Sequence, residues 1–195
     1  PPLHPSLTQN SVVIIDVANP TAPTRRPITA DSALMNPSAR IIALKAGTAG
    51  GGGGDSLQIF DLDTKAKVKS FQTAAPVAFW KWVSPGRLGI VTPTAVFHWD
   101  LEGPGDPVKV FDRAPNLEGS QIISYRVSDD GAWCVLVGIA PGSPDRPALV
   151  KGFMQLYSVA QARSQALEAH AAAFATVVPP GGGPAVGAGS AGIPG

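Results

Sequence analysis

The 195-residue sequence is poor in the side chains from which most catalytic and metal sites are built. It has one cysteine and three histidines, so it offers neither an internal disulfide nor a cluster of zinc ligands. Its 15 basic and 14 acidic residues give a formal charge of +1, whereas nucleic-acid binding needs a concentrated basic surface. No apolar run approaches the roughly 20 residues of a membrane-spanning helix. We therefore expect no metal site, nucleic-acid partner or membrane span, and a reducing, cytosolic setting.

No arrangement of catalytic residues stands out either. The serines lack a Gly-x-Ser-x-Gly elbow, and Cys134 lies in an apolar run typical of a buried strand. His98 also lies in a strand-like run, where a lone histidine is expected to be packed or hydrogen-bonded. A phosphate-binding loop requires Gly-Lys-Ser/Thr at the start of a helix, whereas Gly50–Gly54 precedes a strand. We therefore predict a protein that is not an enzyme and holds no cofactor.

The sequence is rich in short apolar runs of roughly four to eight residues, separated by Pro, Gly, Asn and Asp, which predicts β-strands joined by turns. The runs are Val12–Ile15, Arg40–Leu44, Leu57–Phe60, Val77–Val83, Leu88–Val91, Ala95–Trp99, Gln121–Tyr125, Trp133–Val137 and Phe153–Tyr157. A shorter strand, Ala33–Met35, is predicted before a turn at 36–38. Only the segment 160–174 has the length and alanine content of a helix, and it lacks a clear apolar stripe.

The strands recur as a unit. An apolar pair closed by a small polar residue is repeated at Asp16, Asp61, Asp100 and Ser158, at intervals near the roughly 40 to 50 residues of propeller blades. The last interval is longer because it contains a predicted loop, 140–147. Equivalent carboxylates in a repeat indicate a turn or strand-end role. We predict an all-β fold, a partial β-propeller with about three blades and one leading strand, which is too few to close a ring.

Glycine and proline mark the segments outside the repeat. Residues 1–10 do not fit it and are predicted to be a divergent, disordered start. The propeller repeats occupy 11–174 and contain a glycine-rich insertion, 47–55, which is expected to be a flexible surface segment. Residues 175–195 form a Gly/Pro-rich tail that is predicted to be disordered.

The first unit carries one surface feature that suits a ligand. Strand alternation places Gln58 and Phe60 on one face, with the residues between them in the core, and Lys65 and Lys67 follow on a shared face. An aromatic ring, an amide and two ammonium groups suit an extended peptide with bulky apolar residues and an acidic end. The alternative is a packed phenylalanine beside a solvated lysine face.

Longer stretches of the sequence resemble the amino-terminal propeller domain of the clathrin heavy chain family. The resemblance extends from about Ser11 to Phe174 and is most specific in Arg25–Pro37. The other matching tracts are Val12–Asp16, Ile42–Gly47, Leu57–Phe60, Phe79–Val83, Pro107–Arg113, Gln121–Ile123, Tyr125–Arg126 and Met154–Val159. It implies a seven-bladed propeller, of which this chain carries the second to fourth blades and the last strand of the first.

The resemblance also implies two peptide sites. In the family, the groove between the first two blades binds the clathrin-box peptides of adaptor proteins, in which a leucine and bulky residues precede an acid. The matching positions are Arg26, Ile42, Ser56, Gln58, Phe60, Lys65 and Lys67. The apolar residues would receive the peptide's side chains, the amide and hydroxyl would bind its backbone, and the cations would meet its acid. A second family site takes Trp-containing peptides, and Gln121, Ile123 and Ile139 fall at matching places.

The sequence departs from the family at three points. Ser56 replaces a threonine, and Gln161 replaces an arginine of a third peptide groove. The insertion 47–55 enters a normally tight turn beside the first groove, and we expect it to shield or distort that groove. Since the ends of the chain also fail to match, we expect an incomplete or divergent copy.

Taken together, the resemblance implies a vesicle coat component of clathrin-mediated endocytosis and intracellular transport. It would act on the cytosolic face of coated pits and vesicles, at the plasma membrane and trans-Golgi network. Its implied partners are adaptors and, in an intact chain, clathrin light chains and other heavy chains in a trimer, with membrane contact only through adaptors. The alternatives are a general propeller scaffold, a propeller enzyme and a truncated chain without function.

Overall fold

The computed structural model describes residues 11–47 and 53–177, and this part of the chain consists of β-strands apart from loops and one 3-10 turn, Pro115–Leu117. The predicted start 1–10, the middle of the insertion and the tail from 178 onward lie outside the described residues. The strands are β1 (Val12–Asp16), β2 (Asn19–Arg26), β3 (Ser32–Met35), β4 (Ile41–Gly47), β5 (Asp55–Asp61), β6 (Ala66–Gln72), β7 (Phe79–Ser84), β8 (Arg87–Val91), β9 (Ala95–Asp100), β10 (Val108–Asp112), β11 (Gln121–Val127), β12 (Trp133–Ala140), β13 (Lys151–Ser158) and β14 (Arg163–Leu167).

The strands form a two-stranded hairpin followed by three four-stranded antiparallel sheets. The hairpin is β1–β2, and each sheet is a meander in chain order: sheet one is β3–β6, sheet two is β7–β10 and sheet three is β11–β14. The predicted all-β fold and partial propeller are confirmed. The predicted single leading strand is wrong, because Asn19–Arg26 pairs with β1 along its length. This segment contains two prolines, which an edge strand tolerates because its outer N–H groups need no partner.

The segment 160–174, the one considered for a helix, contains a strand instead. Its residues Arg163–Leu167 pair with β13 as the outermost strand of sheet three, and 168–177 has no regular secondary structure. The turn before this strand places Ala162 at φ 50°, a left-handed conformation that a helix does not use.

Sheets one and two are joined through the innermost strands. Two tryptophans of β7 are buried at this junction and also donate hydrogen bonds to β3: Trp80 Nε1 to Ser32 Oγ at 3.0 Å, and Trp82 Nε1 to the Leu34 carbonyl at 3.3 Å. Asn36 Nδ2 adds a bond to the Pro85 carbonyl at 2.7 Å. Buried residues of both sheets form one continuous apolar cluster around the tryptophans. The indoles therefore bury area and satisfy their polar N–H groups across the same junction.

The junction between sheets two and three contains a buried amide and a buried tyrosine. Gln155 of β13 is 1% exposed, yet its amide is fully used: it accepts from Ala114 N and donates to the Asp112 carbonyl and Ser164 Oγ. Tyr125 is fully buried in the apolar cluster shared by the two sheets, where Cys134 is also buried. Gly89 leaves space for the ring of Tyr125, because a Cβ at position 89 would lie 2.8 Å from that ring.

The repeated polar residues end equivalent strands, as the spacing predicts. Asp16, Asp61 and Asp100 are the last residues of β1, β5 and β9, and Ser158 is the last of β13. Asp61 accepts from the N–H groups of the following turn, and Asp100 forms an ion pair with Arg87 at 2.6 Å. The strand-end role of these aspartates is confirmed.

His98 is hydrogen-bonded within the sheet-two to sheet-three junction, as expected for a packed histidine. Its Nε2 lies 2.7 Å from Tyr125 Oη. Burial, helped by the nearby Arg87 and opposed by Asp100, lowers the pKa of His98 to about 4. The neutral imidazole is therefore the form that the junction accommodates.

This geometry predicts an acid-sensitive junction. The unfolded chain binds a proton at His98 near pH 6.5, whereas the folded chain resists it until about pH 4. The free energy of unfolding should therefore be insensitive to His98 above pH 6.5 and fall by about 2–3 kcal/mol between pH 6.5 and 4. Urea unfolding at a series of pH values measures this slope. In His98→Gln the decline between pH 6.5 and 5 should disappear, and an unchanged decline would contradict the assignment.

Candidate peptide-binding site

An apolar groove of about 170 Å³ lies between the β1–β2 hairpin and sheet one. Both the hairpin and sheet one contribute apolar side chains to its walls, and two cationic residues and one carboxylate also line it. The lining residues are Val12, Ile14, Arg26, Ile28, Ile42, Leu44, Phe60, Asp61, Leu62 and Lys65. Its size and chemistry suit one or two bulky apolar side chains with a negative charge beside them.

The register of β4 and β5 builds the sheet-one wall. Ile42 pairs with Phe60, Leu44 pairs with Gln58, and Ser56 continues the same row, so these side chains share one face. Ile42 and Leu44 are buried, whereas Phe60 is half-buried. The intervening Leu57 and Ile59 are fully buried on the other face, as alternation predicts. A row of an aromatic, an amide and a hydroxyl thus leads out of the groove.

A β-bulge in β6 decides which lysine faces this row. Ile59 pairs with Lys69, but Phe60 pairs with Lys67, so Val68 is the extra residue. Lys67 is therefore placed on the Phe60 face. Lys69 is placed on the opposite face, where its Nζ donates to the Asp100 carbonyl of sheet two at 2.6 Å. Without the bulge the two lysines would share one face.

Lys65 lines the groove from a strained backbone position. It ends the turn between β5 and β6 at φ 58°, a left-handed conformation that favours glycine. The β13–β14 turn has the same length and places Ala162 in the same conformation. The left-handed conformation is therefore a property of this type of turn and not of the lysine. In sheet one, the residue at that position is Lys65, at the mouth of the groove.

The cations at the groove lack carboxylate partners in the described chain, whereas its one carboxylate is already hydrogen-bonded. Within the described chain, Arg26, Lys65 and Lys67 form no ion pair with a carboxylate. Asp61 is engaged elsewhere, since its carboxylate accepts from Thr64 N and Asp63 N, and these bonds lower its pKa. The cations at the mouth are thus available to an anionic ligand.

The seven residues of the first predicted site therefore lie together. Arg26, Ile42, Phe60 and Lys65 line the groove, while Ser56, Gln58 and Lys67 extend along the face beside it. The prediction missed the apolar residues Val12, Ile14, Ile28, Leu44 and Leu62. Several of them lie in apolar runs and are expected from the sequence to be core residues. They line the groove because the β1–β2 hairpin lies against sheet one, a position that the sequence does not show.

The described ends of the insertion lie farther from the groove than we expected. Its described ends, Gly47 and Asp55, pair with each other at the far end of β4 and β5. Phe60 is five residues along β5, or about 17 Å away. Asp55 is anchored there, accepting from Val77 N at 2.7 Å and facing Lys45 at 3.5 Å. The insertion thus leaves from the Ser56 end of the row, and the apolar groove lies at the other end.

The three residues of the second predicted site are neighbours at the start of sheet three. Gln121 pairs with Ile139 across β11 and β12, and Ile123 lies two residues along, at a register shift in β11. Ile123 is 39% exposed, so its side chain is accessible to a ligand. Gln161, at the third family groove, lies in the exposed β13–β14 turn.

In residues 11–47 and 53–177, no group of three His, Cys, Asp or Glu side chains is placed to hold a metal ion. The same residues contain no helix of the length and apolarity needed to cross a membrane.

Comparison with known proteins agrees with the sequence resemblance. Clathrin heavy chain 1 of Arabidopsis thaliana is 62% identical over 173 residues, which are 89% of this chain and 10% of the plant protein. Clathrin heavy chain 2 of Homo sapiens is 48% identical over 167 residues, and the probable clathrin heavy chain 1 of Caenorhabditis elegans is 48% identical over 166. No family model matches the chain.

A solved structure, the acylaminoacyl peptidase of Pyrococcus horikoshii, aligns with 67% of this chain and 24% of its own at a TM-score of 0.46 and 15% identity. That likeness is too weak to bear on function.

The fold and its groove thus define a partial β-propeller with a peptide-sized cleft. By sequence, the chain is a member of the clathrin heavy chain family, and it spans about a tenth of the length of the curated relatives that it matches.

The strain at Lys65 gives a stability prediction. Lys65→Gly and Ala162→Gly should each raise the free energy of unfolding by roughly 0.5–1 kcal/mol, because glycine adopts a positive φ without steric cost. Denaturant unfolding of the two variants measures the effect. Destabilisation by both substitutions would contradict the left-handed assignment of these turns.

Proposed function

We propose that this chain is a peptide-docking part of a clathrin heavy chain and that it recruits adaptor proteins into a vesicle coat. The identity to clathrin heavy chains, 45–62% over most of this chain, supports the coat role. The observation that carries the docking role is the apolar groove with unpaired cations at its mouth. The ligand is an extended peptide with bulky apolar residues followed by an acid.

Each part of the groove matches one part of such a peptide. Phe60 and Ile42 receive the apolar side chains, because they form the cross-strand pair at the wall of the groove. Gln58 and Ser56 continue the row and hydrogen-bond the peptide backbone. The cations Arg26, Lys65 and Lys67 meet the acid, and the exposure of the two lysines makes their contribution modest and sensitive to salt.

We also propose that Gln121, Ile123 and Ile139 form part of a second docking surface, for tryptophan-containing peptides. An exposed isoleucine beside an amide offers an apolar contact and a hydrogen-bonding group for an indole. The two sites are on different sheets, so one adaptor carrying both motifs could gain affinity by engaging both.

In this function the protein is a structural coat component of clathrin-mediated endocytosis and intracellular transport, not an enzyme. It acts in the cytoplasm, on the cytosolic face of coated pits and vesicles at the plasma membrane and trans-Golgi network, and reaches the membrane through adaptors. Clathrin light chains and other heavy chains in a trimer are the further partners of the whole protein.

Truncation of Phe60 tests the site directly. Phe60→Ala should weaken binding of an acid-terminated, leucine-containing peptide by about 2 kcal/mol, because a buried aromatic anchor is lost. Isothermal titration with the full chain measures it. Phe97→Ala is the matched control, since Phe97 is also half-buried and lies on the equivalent third strand of sheet two, away from the groove. Equal affinity of the Phe60 variant and the wild type would rule out the site.

The two strained turns provide a test of the charge. Lys65→Gly should weaken binding of the same peptide by a few-fold at low salt, because one ammonium group at the mouth is removed. The loss should shrink as ionic strength rises. Ala162→Gly makes the same backbone change in sheet three and should leave binding unchanged. A loss of affinity shared by both variants would point to a backbone effect and contradict the role of the Lys65 charge.

A further inference from the structure

Arg113 is a partly buried cation without a carboxylate partner in the described chain. The ion pairs of residues 11–47 and 53–177 join Arg40 to Asp63, Lys45 to Asp55, Arg87 to Asp100 and Lys109 to Asp112. Proteins normally pair a charge that they remove from water, since an unpaired one loses its solvation without compensation. Lys45 follows this rule, because it faces the buried Asp55.

The guanidinium is held in place by backbone groups. Nη1 donates to the Thr92 carbonyl at 3.1 Å and Nη2 to the Leu117 carbonyl at 2.7 Å. Nε is buried and has no hydrogen-bond partner. Burial lowers the pKa of Arg113, and no neighbouring charge offsets the shift. Two carbonyls thus orient the group, but no carboxylate of the described chain neutralises its charge and its Nε–H has no partner.

Arg113 lines a concavity of about 730 Å³ on the side of the molecule that carries the second docking surface. Gln121 lines the same concavity and pairs with Ile139, so the cation and the proposed tryptophan-binding residues adjoin each other. Most of the other lining residues are small, among them Ala78, Thr94 and Ser120. An extended chain therefore has room to pass from the isoleucines to the guanidinium.

We propose that Arg113 is the anion-recognising residue of the second docking surface, and that the peptide bound there carries an aspartate or glutamate close to its tryptophan. This rests on the second site proposed above and adds a specificity determinant to it. A planar guanidinium matches a carboxylate geometrically, and their hydrogen bond is charge-assisted. Glu118, exposed in the same lining, repels a phosphate group more strongly than a carboxylate, because the phosphate carries more negative charge.

A peptide pair tests the proposal on the full 195-residue chain. One peptide carries a single tryptophan and a nearby aspartate, and the other has asparagine in place of the aspartate. We expect the wild type to bind the asparagine peptide about 5- to 10-fold more weakly than the aspartate peptide. We expect Arg113→Gln to bind the two peptides with affinities that differ by less than about 2-fold. Lys109→Gln, which removes an exposed cation that already has a partner in Asp112, should behave like the wild type.

A measurement on the wild type covers the case in which Arg113→Gln fails to fold. In ¹⁵N NMR spectra, the Nε–H signal of Arg113 should shift on addition of the aspartate peptide and move less with the asparagine peptide. Displacement of the aspartate peptide by millimolar inorganic phosphate would overturn the choice of a carboxylate ligand. Binding of both peptides with equal affinity would overturn the role of Arg113 alone. Binding of neither peptide would overturn the second docking surface and this inference with it.

Discussion

The structure depends on the burial of each four-stranded sheet against the next. A single sheet of this kind cannot hide its apolar face, so stability arises at the junctions. Trp80 and Trp82 show how a junction is made specific, since they fill it and also bond to the preceding inner strand. At the first junction the partner of sheet one is a hairpin of two strands, and the apolar groove lies there. The candidate site is thus located where two packing units meet.

The inner three strands of each sheet could be predicted from the sequence, but the outer ones could not. The inner strands are apolar on one or both faces, so Leu88–Val91 or Trp133–Val137 stand out as runs. The outer strands, such as Asn19–Arg26 and Arg163–Leu167, are mostly exposed and polar. These segments are strands because their backbones pair with the neighbouring strand, not because their side chains are buried. Backbone pairing does not require apolar residues, so it gives no hydrophobic pattern in the sequence. The leading hairpin was missed for the same reason.

The candidate site was predictable where it follows strand alternation. Gln58 and Phe60 share a face because they are two residues apart in a regular strand. The position of Lys67 depends on a bulge, and that of Lys65 on a left-handed turn; neither has a clear signature in the sequence. The distance from the ends of the insertion to the groove follows from the length of β5, which hydrophobicity alone does not fix.

The bulge at Val68 has a consequence for how the protein can change over evolution. It places Lys67 on the face beside the groove and Lys69 on the opposite face, where it bonds to sheet two, although the two residues are only two positions apart. A regular pairing of the same residues, without the bulge, would turn both side chains toward one face and alter both surfaces together. Deletion of Val68 would instead make the two lysines adjacent and keep them on opposite faces. Position 68 is therefore the place at which β6 can lose a residue without exchanging the roles of its lysines.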